Sequence, residues 1–214
     1  MGRVPARVWP DGFADVDRRR IVVGITGASG AVYGVRLLQR LSDHPEIETH
    51  LLLTAAASMT INAETNLKPA DVVALAEHSY RPRDVGAAVA SGSFRTAGMV
   101  VAPCSIKTLS AIANSYDSDL IARAADVTLK EGRPLILAVR ETPFHLGHLR
   151  LMQQAAEAGA IIAPPVPAFY HRPRTIEELV DHFIDRILDR LGIESGGREW
   201  QGMRTQSIST GDDC

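Results

Sequence analysis

The residues with chemical potential lie in a few short stretches of the chain. Residues 24–34 read GITGASGAVYG, with glycines at 24, 27, 30 and 34 and a serine at 29. Glycines gathered where an apolar strand hands over to a helix let an anion approach the backbone closely, and the helix N-terminus offers it unpaired N–H groups. The spacing is neither that of a P-loop nor the GxGxxG of a dinucleotide site. It is sufficient for a monophosphate; a plain tight strand-to-helix turn is the alternative reading. A second such opening, Ser105-Ile106-Lys107-Thr108, places two hydroxyls three residues apart on one side of a first helical turn. N-capping by Ser105 is compatible with that role and accounts for the motif equally well.

The charged candidates are less specific. Arg123 and Lys130 are seven residues apart, hence on one helical face. On spacing alone they read as a solvated basic stripe. Glu64 sits in the small, mostly apolar stretch Ile61-Asn62-Ala63-Glu64-Thr65-Asn66, and on spacing alone it reads as a surface acid at a helix end. Cys104 follows an apolar strand with no histidine adjacent, so it reads as a packed small residue rather than a nucleophile. His145, His148 and His171 lack metal-ligand spacing, so no metal is expected.

These residues need elements to position them. Apolar runs of strand length recur at Ile21–Ile25, Thr49–Leu53, Gly98–Ala102, Pro134–Val139 and Ala160–Ala163. Between them, Val32–Leu41, Leu109–Ala113, Asp119–Glu131 and His148–Ala158 carry helical patterns, and Thr175–Leu191 closes the chain as an amphipathic helix. Asp119 or Ser118 caps the third of these, and Thr175 with Glu178 forms a capping pattern for the last. Strands alternating with helices predict an α/β fold: three-layer, Rossmann-like (flavodoxin-like), with a mostly parallel central sheet covered on both faces. In such a sheet ligands bind beyond the carboxyl ends of the strands. The residues expected there are Thr26–Gly30, Thr54, Pro103–Thr108, Arg140-Glu141 and the segment Pro164–Tyr170.

Bulk properties narrow the class. The chain has 214 residues, 45% hydrophobic, with a formal net charge of −2, which fits one α/β domain and gives no sign of nucleic-acid or anionic-membrane binding. Two cysteines and the absence of a span-length apolar run fit a cytoplasmic protein without a membrane span. Residues 1–19 read as a disordered leader, 20–193 as the domain and 194–214 as a mobile tail.

Taken together, GITGASGAVYG, ASGSF at 90–94, APCSIKTLSAIANS at 102–115, LIARAADVTLKEGRPLILAVRETP at 120–143 and PPVPAFYHRP at 164–173 resemble the UbiX/Pad1 flavin prenyltransferases from about Arg20 to Ile193. The resemblance implies reduced FMN as substrate, a dimethylallyl phosphate donor and no metal requirement. It also implies a homo-oligomer, a dodecamer with FMN at subunit interfaces. The dimethylallyl group would be joined to N5 and C6 of FMN, and the product supplied to a UbiD-type decarboxylase. Matched by motif, Gly27, Ala28, Ser29, Thr54, Ser105, Thr108 and Arg140 would hold FMN. Thr54 stands where the family often has Ser. Ser91, Gly92, Tyr170 and Arg186 would bind the donor. Arg123, Lys130 and Glu141 would gather around its phosphate or support it, and Glu64 would be the acid near the reacting centre. An FMN-dependent cysteine decarboxylase on the same fold is one rival. Such enzymes carry a Pro-x-Met-Asn motif, where this chain has Pro-Val-Pro-Ala-Phe-Tyr. A non-catalytic FMN-binding decarboxylase subunit is the other.

Overall fold

The structure, a computed structural model, describes residues 18–197. Most of the expected leader and tail lies outside the described residues. Six parallel strands form one sheet: β1 (Arg19–Ile25), β2 (Ile47–Leu53), β3 (His78–Tyr80), β4 (Gly98–Cys104), β5 (Leu135–Val139) and β6 (Ile161–Ile162). Their spatial order is β3-β2-β1-β4-β5-β6, every neighbouring pair being parallel. Among the described residues seven α-helices accompany them: α1 (Ala31–Ser42), α2 (Ala55–Glu64), α3 (Pro69–Val73), α4 (Ile106–Ala113), α5 (Leu120–Lys130), α6 (Leu146–Glu157) and α7 (Ile176–Arg190).

Side chains alternate across each strand, so the sheet serves two cores. Ile21, Val23 and Ile25 of β1 point into a layer built with α1 and α7, through Leu37, Leu38, Leu41, Ile184 and Leu188. Val22 of β1, with Met99, Val101, Leu135 and Leu137, points into the opposite layer with Leu109, Leu120 and Ala125 of α4 and α5. Burial of both faces explains why the central strands read as continuous apolar runs rather than alternating ones. The three-layer α/β architecture is the one expected.

Five of the six strands are those legible as apolar runs. The sixth, β3, is three residues long, and its sequence, His-Ser-Tyr, is neither apolar nor bounded by a strong turn signal. It adds an edge strand beside β2. The helices correct two boundaries and add two elements: α4 begins at Ile106, before the expected Leu109; α6 begins at Leu146, before the expected His148; and α2 and α3 fill the stretch after Thr54 where no helix was expected. Helix α2 reads AAASMTINAE and has no coherent apolar stripe; only Ala57 and Ile61 are buried. Asp119, rather than Ser118, caps α5, its carboxylate accepting from the N–H of Ala122 at 3.1 Å. Thr175 caps α7 as its sequence pattern predicts, accepting from Glu178 N–H at 3.2 Å.

The order of the strands reverses between β1 and β4. Helix α1 leaves β1 and helix α4 leaves β4, so two helix N-termini open side by side at the carboxyl edge. Close packing of α1 on β4 holds that opening narrow. A Cβ added at Gly34 would lie 2.3 Å from the carbonyl oxygen of Ala102 and 2.8 Å from the Ile25 side chain. The first obstacle is backbone and cannot swing away. Gly34→Ala should therefore lower stability by about 1–3 kcal/mol through overpacking. Urea titration checks this, and a variant as stable as the parent chain would show that α1 can shift outward at no cost.

Candidate active site

Four loops meet beyond the carboxyl ends of β1, β2, β4 and β5, and one buried hydroxyl ties two of them together. Thr26, 1% exposed, donates its hydroxyl to the carbonyl of Pro103 at 2.7 Å and accepts from the backbone N–H of Ser105 at 2.9 Å. Its own N–H also reaches Pro103 O, at 3.3 Å. The glycine loop after β1 and the Ser105 loop after β4 are thus tied together. Gly27 closes against the third loop: a Cβ there would sit 2.4 Å from Cβ of Ala56 in the first turn of α2. Thr60 of α2 donates to Gly27 O at 3.2 Å. The fourth loop is tied by Arg140 N–H to Cys104 O at 3.0 Å.

The hydroxyl residues act first as caps. Thr54 Oγ1 accepts from Ala57 N–H at 3.0 Å and opens α2. Ser105 Oγ accepts from Thr108 N–H at 3.3 Å and donates to Thr108 Oγ1 at 3.2 Å, opening α4. Capping leaves other first-turn N–H groups of α2 and α4 without intrahelical partners. Together with Gly27, Ala28 and Ser29 they form a concave, donor-rich edge suited to a phosphate.

Glu64 is the acid of this edge. Its Oε2 accepts from Gly30 N–H at 2.7 Å and Ala31 N–H at 3.1 Å, at the N-terminus of α1. Gly30 has a φ of 97°, which turns the loop so that both N–H groups face the carboxylate. Burial works to raise the Glu64 pKa, but hydrogen bonds from the Ser29 hydroxyl and from Gly30 and Ala31, with the charge of Arg140, outweigh it and hold the carboxyl below its usual range. Glu64 is therefore more than a solvated helix-end acid: it is an ionised carboxylate aimed back at the glycine loop. Arg140 also faces Tyr33, whose phenol is held above its usual range chiefly by burial. Cys104, fully buried at the end of β4, has its thiol pushed up to about 12 by burial. It is a packed residue, as its position suggested.

The remaining predicted residues fall into two other groups. Glu141 follows Arg140 and accepts from Thr142 N–H at 2.9 Å. Tyr170 lies beyond the carboxyl end of β6, its hydroxyl 2.6 Å from His182 Nε2 on α7. Arg186 lies one turn further along α7 and pairs with Asp189 at 3.5 Å. Ser91, Gly92, Arg123 and Lys130 form the other group, along α5 and the loop that precedes β4. Lys130 ends α5 five residues before Leu135, where β5 begins. It pairs with Glu131. Gly92 packs directly on that pair, since a Cβ would meet Lys130 Nζ at 2.7 Å. Arg123 binds Ala90 O at 3.2 Å and pairs with Asp117 and Asp126 at 3.1 and 3.3 Å. Arg133 donates to Gly92 O at 2.8 Å and Phe94 O at 2.9 Å, fixing the same loop.

Sequence reasoning overlooked three residues here. Thr26 was visible only as part of the glycine loop; its role needs the β1–β4 adjacency, which no local pattern encodes. His182 and Tyr33 sit at ordinary helical positions and are distinguished only by what the fold sets beside them.

A parallel sheet whose switch-point crevice is lined by hydroxyl caps, helix N-termini and one arginine defines an α/β protein built for a mononucleotide. The family model described as Flavoprotein matches residues 14–186. Flavin prenyltransferase UbiX of Escherichia coli K12 is 56% identical over 187 residues, covering 86% of this chain and 99% of that protein. The structure of AnUbiX in complex with FMN and dimethylallyl pyrophosphate superposes with a TM-score of 0.85 at 47% identity, covering 87% of this chain and all of that one. A dodecameric FMN-dependent UbiX-like decarboxylase from Escherichia coli O157:H7 superposes with a TM-score of 0.84 at 48% identity, over 86% and 100% of the two chains. The chain belongs to the flavoprotein family and, within it, to the UbiX flavin prenyltransferases.

Two predictions arise from this geometry. Thr26→Val keeps the branched shape but leaves the Ser105 N–H without its partner and the Pro103 C=O with only the Thr26 backbone N–H. It should cost on the order of 2 kcal/mol. Thr26→Ser should restore most of it; equal losses in both variants would show that the hydroxyl is not the clamp. The second concerns acid. Glu64 has a lowered pKa in the folded chain, so it contributes stability that is present above about pH 4.5 and lost as pH falls through the lowered value. Glu64→Gln removes this contribution, so stability measured between pH 6 and pH 3 should fall less steeply in the variant than in the parent chain. An unchanged slope would mean that the carboxylate is not held at the α1 N-terminus.

Proposed function

We propose that this chain is a flavin prenyltransferase that joins a dimethylallyl group from dimethylallyl phosphate to N5 and C6 of reduced FMN. The observation that carries the reading is the meeting of Gly27, Ala28, Ser29, Thr54, Ser105, Thr108 and Arg140 around one crevice at the carboxyl edge, in a chain 56% identical to a curated flavin prenyltransferase. The crevice fits a flavin mononucleotide. Its donors suit one phosphate, Gly27 leaves no room for a side chain, and the fingerprint for an adenylate half is absent.

Bound reduced flavin supplies the nucleophilic nitrogen and the ring carbon that are alkylated. The protein's part is to position, to carry charge and to move protons. Ser29 and the first-turn N–H groups of α2 and α4 would hold the flavin mononucleotide, with Arg140 beside it. Glu64, beside Ser29 and facing Arg140, is placed to carry a proton at the reacting centre. Lys130, Arg123 and Arg186 suit the negative charge that grows on the departing phosphate. Tyr170, Glu141 and the Ser91-Gly92 loop orient the same group.

These groups cannot all serve one crevice within one chain. Lys130 precedes β5 and Arg140 follows it, and five strand residues alone separate them by about 17 Å. The complete site is therefore proposed to form where the α5 group of one copy meets the carboxyl-edge crevice of another. Helix α6 supports such assembly. Ala155 is its one buried residue, while Leu146 and Leu149, and Phe144 just before the helix, stand exposed. The dodecameric relative matches over 86% of this chain. The product, prenylated FMN, is proposed to pass to a UbiD-type decarboxylase.

The test is mass spectrometry of the flavin after incubation with reduced FMN and dimethylallyl phosphate, with the diphosphate in a parallel reaction. A gain of one dimethylallyl unit is expected; recovery of unmodified FMN with both donors would leave a flavin-binding subunit as the reading. Lys130→Ala and Glu64→Gln should each lose most of the product while still binding FMN. Co-expressed, the two variants should regain part of the activity, because mixed assemblies contain some sites with both residues intact. A mixture as inactive as its parts would mean that each site is built from a single copy.

A further inference from the structure

Outside the crevice, the edge of the sheet carries a cluster that the prenyl-transfer reading does not use. Glu48 and His50 are two residues apart on β2 and so share one face, and His50 is paired in register with His78 on β3. Their ligand atoms converge. Glu48 Oε1 lies 3.0 Å from His50 Nε2 and 3.2 Å from His78 Nε2, and all three atoms lie within 4.8 Å of one another. The two imidazole rings stack with centroids 4.8 Å apart.

We propose that Glu48, His50 and His78 bind a divalent transition-metal ion of the zinc class, joining β3 to β2. Three observations support it. First, His50 is 2% exposed, yet its Nε2 has no hydrogen-bonded partner; it stands near Glu48 Oε1 but outside hydrogen-bond geometry. A buried nitrogen left in this way carries a cost that a metal ion would remove. Second, the surroundings orient the ligands as second-shell groups do around metal-bound histidine and carboxylate. His50 Nδ1 is 2.9 Å from the Tyr80 hydroxyl, which can accept its proton and leave the Nε2 lone pair for the metal. Arg20 holds the other carboxylate oxygen of Glu48, at 3.3 Å, leaving Oε1 for the shared point. Third, the spacing fits. Ligand atoms about 2.0–2.1 Å from a tetrahedral zinc lie about 3.4 Å from each other, close to two of the three separations seen here.

Two imidazoles and one carboxylate suit zinc better than magnesium or calcium, which take oxygen ligands. His78 is half exposed, so water can complete the coordination. The site lies apart from the flavin crevice and its role is mechanical. The Phe94 ring packs edge-on against His50 at 5.1 Å, so an ion here would stiffen the three-residue strand β3 and the loop through Ser91 and Gly92 above it. The three residues escaped notice in the sequence because 28 positions separate His50 from His78 and β3 has no strand signature.

The experiment is equilibrium dialysis of the chelator-treated full chain against micromolar zinc chloride, with bound metal measured by mass spectrometry and thermal unfolding followed in parallel. One zinc per chain is expected, with a zinc-dependent rise in Tm. His78→Ala, at an exposed position that leaves the core untouched, should weaken binding at least tenfold and abolish the rise. Glu48→Gln, which keeps the side-chain shape, should do the same. Binding that survives both substitutions unchanged would place the metal at other histidines and overturn the proposal. So would a parent chain that takes up no zinc.

Discussion

The crevice depends on one hydroxyl. Thr26 bonds at once to the carbonyl of Pro103 and the N–H of Ser105, and so locks the end of β1 to the end of β4 at the place where the strand order reverses. Every other feature of the crevice is referred to that junction. The glycine loop hangs from one side of it and the Ser105 cap from the other. Arg140 joins through Cys104, the residue before Ser105. Without the clamp, two helix N-termini would still lie near each other, but the distance between their donors would be free to vary. A phosphate held by several N–H groups at once tolerates little such variation, because each bond is short and directional.

The charges follow a second constraint, set by the length of a strand. The carboxyl edge holds Glu64 and Arg140, which sense one another electrostatically. Helix α5 and the turn after it hold Arg123, Lys130 and Arg133, already neutralised in part by Glu131, Asp117 and Asp126. Within one chain β5 alone separates Lys130 from Arg140 by about 17 Å. On the proposed function, donor-phosphate groups and flavin groups at opposite ends of the sheet would make assembly part of the site.

How much of this was readable in advance depended on whether the signal was local. The central strands were legible because burial on both faces makes them apolar throughout. Helices α1, α5 and α7 were legible because each shows one stripe or one cap. Helix α2 was not, since it meets the glycine loop through Ala56 and Thr60 at Gly27 rather than through an apolar face. Strand β3 was not, being too short and too polar. Ser29, Ser105 and Thr108 could be placed at the crevice because loops after strands define it. Glu64 looked like an ordinary acid at a helix end. Only the fold turns α2 so that this acid reaches the N–H groups of Gly30 and Ala31. The separation of Lys130 from Arg140 was implicit in the order of helix, strand and loop, but an i, i+7 spacing on α5 says nothing about which edge of the sheet it faces.

The state of Cys104 has a consequence for the working life of the protein. Reduced flavins react with oxygen and release peroxide, and Cys104 ends the strand directly beneath the crevice. Peroxide attacks thiolates, not thiols. Full burial keeps this sulfur protonated, with a pKa pushed up to about 12. Cys104, at the strand end beneath the crevice, is thus a sulfur poorly open to oxidation. The strand end that carries both Thr26 contacts can sit beside an autoxidising ligand without acquiring a bulky, charged sulfinate in its core.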